Sequence, residues 1–146
     1  MTTINSVETA IKALKNDDPG VRYHAVWWLG KNRVGSAVRH LIECLHDEGD
    51  QTSTGGYPLR RQAARSLGLI NDTSCTPYLL ETLHTKDIHL HEATLRALIE
   101  LKTADCKNEL NKYVEKNIEG KPIEALIETL ATYKMWNVKE KVEPYL

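Results

Sequence analysis

Tyr23, His24 and Trp27 lie within five residues of one another, and this cluster is the best recognition chemistry the sequence carries. The rings offer flat faces, and His24 is the candidate proton donor among them. Arg61, Arg65 and Arg96 recur further along the chain at matching places of a repeat. Aromatic faces beside guanidiniums make a site for a planar, anionic ligand: the rings stack on it and the arginines fork onto its carboxylates. An acidic protein surface would satisfy the same wall. The purely structural alternative is that Trp27 packs against the terminal part of the fold and the arginines pair with Glu and Asp of adjacent helices.

Other chemistries lack their residues. There is no Gly-rich phosphate loop, no nucleophile elbow and no paired-His metal helix. His89 and His91 are one residue apart, so on a helix they point about 200° away from each other and share no metal. Cys44, Cys75 and Cys106 are odd in number and lack the close pairing or His partners of a zinc site, so they are expected to be buried, reduced thiols. The net charge of -1 supplies no positive field for nucleic acid. The polar stretch Met1 to Val7 has no leader pattern, and no apolar run is long enough to span a membrane, so a cytoplasmic protein is expected.

The elements that position these side chains are set by an internal repeat. Val21 to Gly30 (VRYHAVWWLG), Leu59 to Gly68 (LRRQAARSLG) and Leu90 to Ile99 (LHEATLRALI) superpose, and a weaker copy runs from Pro122 to Leu130. Each begins with an apolar or imino residue and carries small or apolar residues at the fifth and sixth places and Leu at the ninth. Between them lies a second family of helices with aliphatic pairs: Ile11 with Leu14, Leu41 with Leu45, Leu79 with Leu83, and Leu110 with Val114. Their final residues recur at 31, 38 and 31, and the longer interval contains an inserted loop, Glu48 to Gly56.

Helix signals agree with this spacing. Asp18 is placed to cap a helix opened by Pro19, Pro58 and Pro122 suit first helical positions, and Gly30 and Gly68 lie where C-terminal glycines belong. Elements this short are unstable alone and must gain stability by stacking on neighbouring repeats. The predicted fold is therefore all-α: an α-solenoid of HEAT-like helix pairs in a single domain, residues 1–146. It has four complete pairs, and Asn137 to Leu146 form the first helix of a fifth.

Winding the second helix of each pair at about 100° per residue places its first, fifth, sixth and ninth positions on one buried arc. Tyr23, His24 and Trp27 fall opposite that arc, as do Arg61, Gln62 and Arg65 in the second copy and Glu92, Ala93 and Arg96 in the third. Arg22 and Arg60 fall at the edge of the buried arc, where an Arg ties one repeat to the next. The Gly55 and Gly56 pair reads as a hinge before a proline-opened helix. An unfinished last pair invites docking, so a homodimer or heterodimer is expected, with Arg96, Trp136 and Tyr145 as partner-binding residues.

Specific strings carry a family resemblance. Val21 to Arg33 (VRYHAVWWLGKNR), Leu41 to Asp50 (LIECLHDEGD) and Gly55 to Gly68 (GGYPLRRQAARSLG) resemble the E subunit of the E/F-type phycobilin lyases, HEAT-like proteins of the phycobilisome lyase repeat family. The likeness continues more weakly through Leu90 to Leu101, Gly120 to Pro122, and Glu143 with Pro144. It implies binding of a linear tetrapyrrole, phycocyanobilin or a related bilin, as ligand or substrate with no permanently bound cofactor. It further implies help in attaching that bilin to, or transferring it from, a Cys of a phycobiliprotein subunit, in company with an F-like lyase subunit. On this resemblance Tyr23, His24 and Trp27 contact the ring system and Arg61 and Arg65 the propionates. The chain matches the N-terminal half of such subunits and lacks the adjacent His-Cys pair of isomerising F-type subunits, which implies activity only with a partner subunit. A non-catalytic adaptor or chaperone for phycobiliprotein assembly or degradation remains the alternative.

Overall fold

In a computed structural model describing residues 3–116, 118 and 120–146, the helices alternate between two lengths. Second helices are long: α2 (Pro19–Lys31), α4 (Pro58–Ile70), α6 (Ile88–Glu100) and α8 (Ile123–Thr132). First helices are short: α1 (Val7–Ala13), α3 (Val38–Cys44), α5 (Thr76–Glu81), α7 (Lys107–Glu115) and α9 (Trp136–Val142), several extended by 3-10 turns. These are the four pairs and the opening helix of a fifth expected from the repeat. The final helix starts one residue earlier than expected, at Trp136. Met1 and Thr2 of the polar N-terminal stretch lie outside the described residues.

The second helices pack side by side in chain order, α2 on α4, α4 on α6 and α6 on α8. Contacts between successive first helices are sparser. A single cluster of buried apolar side chains runs from Ala10 to Val142 beneath both layers, with Leu29, Leu41, Leu67, Leu98 and Leu126 fully enclosed. Stacking therefore supplies the burial that helices of 6 to 13 residues cannot find alone.

Gly30 and Gly68 are not C-terminal caps. Both sit inside their helices, where the neighbouring helix comes closest: a Cβ on Gly30 would lie 2.7 Å from the Ser66 Cα, and one on Gly68 would lie 2.8 Å from the Ala97 Cα. The second-helix layer is this tight because those positions carry no side chain. The left-handed residues that end these segments are Arg33, Asn71 and Lys134, with φ of 51°, 64° and 57°.

Asp18 caps α2 as expected, and the inserted loop supplies the cap of α4. Asp18 accepts from the Gly20 N–H, and Asp87 accepts from the Leu90 N–H. At α4 the cap position holds Tyr57, which makes no side-chain cap bond. Instead Asp50, inside the insertion, folds back to accept from the Leu59 N–H at 2.8 Å. The loop thus supplies the cap that Tyr57 does not. Pro122 stands at the cap of α8 rather than at its first helical position.

Arg22 ties its pair to the next as expected, whereas Arg60 bonds within its own pair, to the end of α3 and the loop after it. Arg22 donates to the Asn16 and Asp17 carbonyls and lies 3.6 Å from Asp47 of the next pair. Arg60 donates to the Leu45 carbonyl at 2.7 Å and lies near Glu48.

Candidate functional site

The face opposite the core of α2 carries the aromatic cluster. Ala25, Val26 and Leu29 turn inward and are fully buried, so Tyr23, His24 and Trp27 turn outward at the helical period. Tyr23 is 36% and Trp27 40% exposed. The His24 and Trp27 rings meet edge to face, with centroids 5.5 Å apart. Lys31, one turn on, holds its Nζ 4.7 Å from the centre of the Trp27 ring.

Tyr23 is also anchored. Its hydroxyl donates to Gln62 Oε1 at 3.1 Å, the Gln62 amide reaches Ser66 Oγ, and Ser66 donates to the Val26 carbonyl. This buried chain of bonds joins α2 to α4. Gln62 and Ala93, expected on the open wall, are therefore buried. Both occupy the fourth place of their repeat copy, which faces the preceding second helix; α4 and α6 have such a neighbour. His24 holds the same place in α2, where no second helix packs on that flank among the described residues, so it stays exposed beside a hollow lined by Thr3, Ile4, Asp18 and Val21.

The seventh places of the four copies form one row, Trp27, Arg65, Arg96 and Glu128, and the third places another, Tyr23, Arg61, Glu92 and Glu124. The three arginines of these rows have different surroundings. Arg65 is exposed and has no ion-pair partner among the described residues. Arg96 is bracketed by Glu92 at 3.8 Å and Glu128 at 3.0 Å. Arg61 leaves the wall: its guanidinium packs over Gly56 and lies 3.5 Å from Asp87. Gly56 is thus the floor of an arginine slot rather than a hinge, while Gly55 alone, at φ 86°, needs the left-handed conformation. Trp136 and Tyr145 are exposed on α9 and the turn after it.

The three cysteines and His91 are enclosed. Burial, with Asp47 and Glu43 nearby, pushes the Cys44 thiol up to about 12, and burial takes Cys75 and Cys106 to about 11. These cysteines are protonated at neutral pH and are not nucleophiles. His91 is buried between the Thr85 carbonyl at 2.7 Å and the Tyr113 hydroxyl at 3.0 Å, and burial lowers its pKa. The carbonyl can only accept, so Nε2 carries a proton, and in the neutral ring that burial favours Nδ1 accepts from Tyr113. Among the described residues, no group of three His, Cys, Asp or Glu side chains is placed to hold a metal ion. None of the helices is long and apolar enough to cross a membrane, again among the described residues.

Sequence reasoning missed Lys31, although its spacing of four from Trp27 places it on the same helix face. It also missed Lys86 and His89, which join Arg61 around a groove only because a loop and a turn meet there.

The fold and this face define a class: an all-α solenoid of HEAT-like repeats whose second helices present an aromatic and cationic wall. Residues 21–47 and 59–85 match the PBS lyase HEAT-like repeat. Those two segments are repeats of that family. It is 40% identical over 144 residues to a bilin biosynthesis protein PecE of Nostoc sp., covering 98% of this chain and 56% of that protein. It is 36% identical over 152 residues to a phycocyanobilin lyase subunit alpha of Nostoc sp., covering 95% of this chain and 55% of the relative. A chain in the solved complex of CpcE and CpcF of phycocyanin lyase from Nostoc sp. superposes with a TM-score of 0.83 at 36% identity, over 92% of this chain and 56% of that one. The chain spans about half the length of the relatives it matches.

Proposed function

We propose that this chain holds a linear tetrapyrrole on the outer face of α2 and α4 and assists its attachment to, or transfer from, a Cys of a phycobiliprotein subunit. The observation that carries this reading is the exposed Tyr23, His24 and Trp27 cluster with Lys31 and the unpaired Arg65 beside it, in a relative of bilin lyase subunits. Large rings left open on a helix face, next to cations without acidic partners, suit a conjugated ligand bearing carboxylates. Phycocyanobilin or a close relative is the ligand, bound in passing rather than as a resident cofactor.

Holding the bilin extended brings its reactive carbon to the acceptor thiol, a proximity effect that asks no nucleophile of this chain. That division of labour fits three thiols kept protonated by burial. His24 is the proton donor toward the bound bilin. Tyr23 and Trp27 hold the rings, and Arg65 and Arg61 take the propionates. Catalysis requires an F-like partner subunit, docked in the cytoplasm through Trp136 and Tyr145, with Arg96 at the edge of that contact. The single domain spans residues 1–146.

Purified protein is expected to shift and sharpen the absorbance of phycocyanobilin, and Trp27→Ala to abolish that change while leaving the helical circular dichroism intact. An unchanged bilin spectrum with the wild-type chain, alone and with an F-like subunit, overturns the reading.

A further inference from the structure

The inserted loop and the α5–α6 turn enclose a groove of about 440 Å³ on the flank of the wall. Its lining includes Gly56, Tyr57, Arg61, Lys86, Asp87 and His89. Two of these, Arg61 and Lys86, are full cations and Asp87 is the one anion; a third cation, Arg60, also lines the groove. Lys86 and His89 are exposed and make no hydrogen bond or ion pair among the described residues. Arg61 is only 21% exposed, its Nε has no hydrogen-bond partner, and its one ionic contact, to Asp87 Oδ1, is long at 3.5 Å. That same Asp87 oxygen already caps α6 through Leu90.

A guanidinium set into a slot with an unsatisfied N–H, with the free cation Lys86 and the unpartnered His89 ring nearby, is an incomplete ion-pair network. Gly56 makes the slot: a Cβ there would lie 3.0 Å from the Arg61 Cζ, so any side chain at this position displaces the guanidinium. The groove also adjoins the wall. Tyr23 is bonded to Gln62, the residue after Arg61, so a ligand lying on Tyr23 and running across α4 toward α6 reaches the groove within one to two helix spacings of about 10 Å.

We infer that this groove is the carboxylate subsite of the bilin-binding face, with Arg61, Lys86 and His89 taking a propionate of the ligand and Asp87 acting as the competing internal anion. The inference rests on the tetrapyrrole reading of the α2 face. It makes the inserted loop a binding element, since the loop supplies Gly56 and, through Asp50, holds the start of α4 in place.

The test compares biliverdin, a free diacid, with its dimethyl ester, titrated against the full chain by absorbance. Wild-type protein is expected to bind the diacid at least tenfold more tightly than the ester, with the preference shrinking as salt rises. Lys86→Ala with His89→Ala, both exposed, is expected to remove most of that preference without weakening ester binding. Asp87→Asn keeps a capping side chain and removes the competing charge, so it is expected to strengthen diacid binding several-fold. A merely structural Asp87 gives no such gain. Equal binding of diacid and ester, or no response to the Lys86 and His89 substitutions, overturns the subsite while leaving the aromatic face in place. Binding of neither pigment overturns both.

Discussion

The two ends of the outer wall are built on the same repeat yet differ in how their charges are resolved. At the α6 and α8 end, Arg96 sits between Glu92 and Glu128, and its charge is spent within the protein. At the α2 and α4 end, Trp27, Lys31 and Arg65 face outward, and neither Lys31 nor Arg65 has an acidic partner among the described residues. An exposed ion pair contributes only about 0–1 kcal/mol to stability, so the pairing at the far end matters less for folding than for what it withholds. It removes the free cation that a carboxylate would seek. The end where the row is left incomplete is the one at which recognition is proposed.

That contrast can be broken most forcefully by forcing the second helices apart. Gly68→Ala places a methyl 2.8 Å from the Ala97 Cα, which the backbone must yield to. The expected cost is about 1–3 kcal/mol, seen as a lower midpoint in denaturant unfolding with the slope unchanged. Bilin binding should fall with it, because the spacing between α4 and α6 sets the wall.

Removing the exposed ring sharpens the comparison without touching the core. Trp27→Ala is expected to weaken bilin binding at least about tenfold, or about 1.4 kcal/mol, with thermal stability nearly unchanged. A matched pair then separates the two ends. Arg65→Ala should weaken binding of the diacid several-fold, whereas Arg96→Ala should leave it alone; equal effects would erase the distinction between the ends.

The smallest expected effect is a pH dependence of the α5–α7 region. His91 has a folded-state pKa below its ordinary value because burial disfavours the imidazolium. Its contribution to stability is therefore complete above about 6.5 and is lost as pH falls through the lowered folded value. Acid unfolding of His91→Gln should lack that component. The exposed α2 face takes no part in it.

The pairs, their number and the loop between the third and fourth helices were all legible in the sequence, because helix stacking repeats the same apolar positions at a nearly constant interval. Tyr23 and Trp27 were also legible as exposed rings, since their phase on α2 alone places them opposite the core. What the sequence could not determine was how each repeat sees its neighbours. Gln62 and Ala93 share a repeat position with His24, yet they are buried and it is open, because a second helix flanks them on the side where, among the described residues, α2 has none. Gly30 and Gly68 looked like helix ends and proved to be contact points, since a cap depends on local backbone but a close approach depends on another helix. Arg61, Arg65 and Arg96 are one residue type in one pattern, and only the fold assigned them three fates. Glu92 is one helical turn from Arg96 and local, but Glu128 and Asp87 reach their arginines only through the tertiary structure.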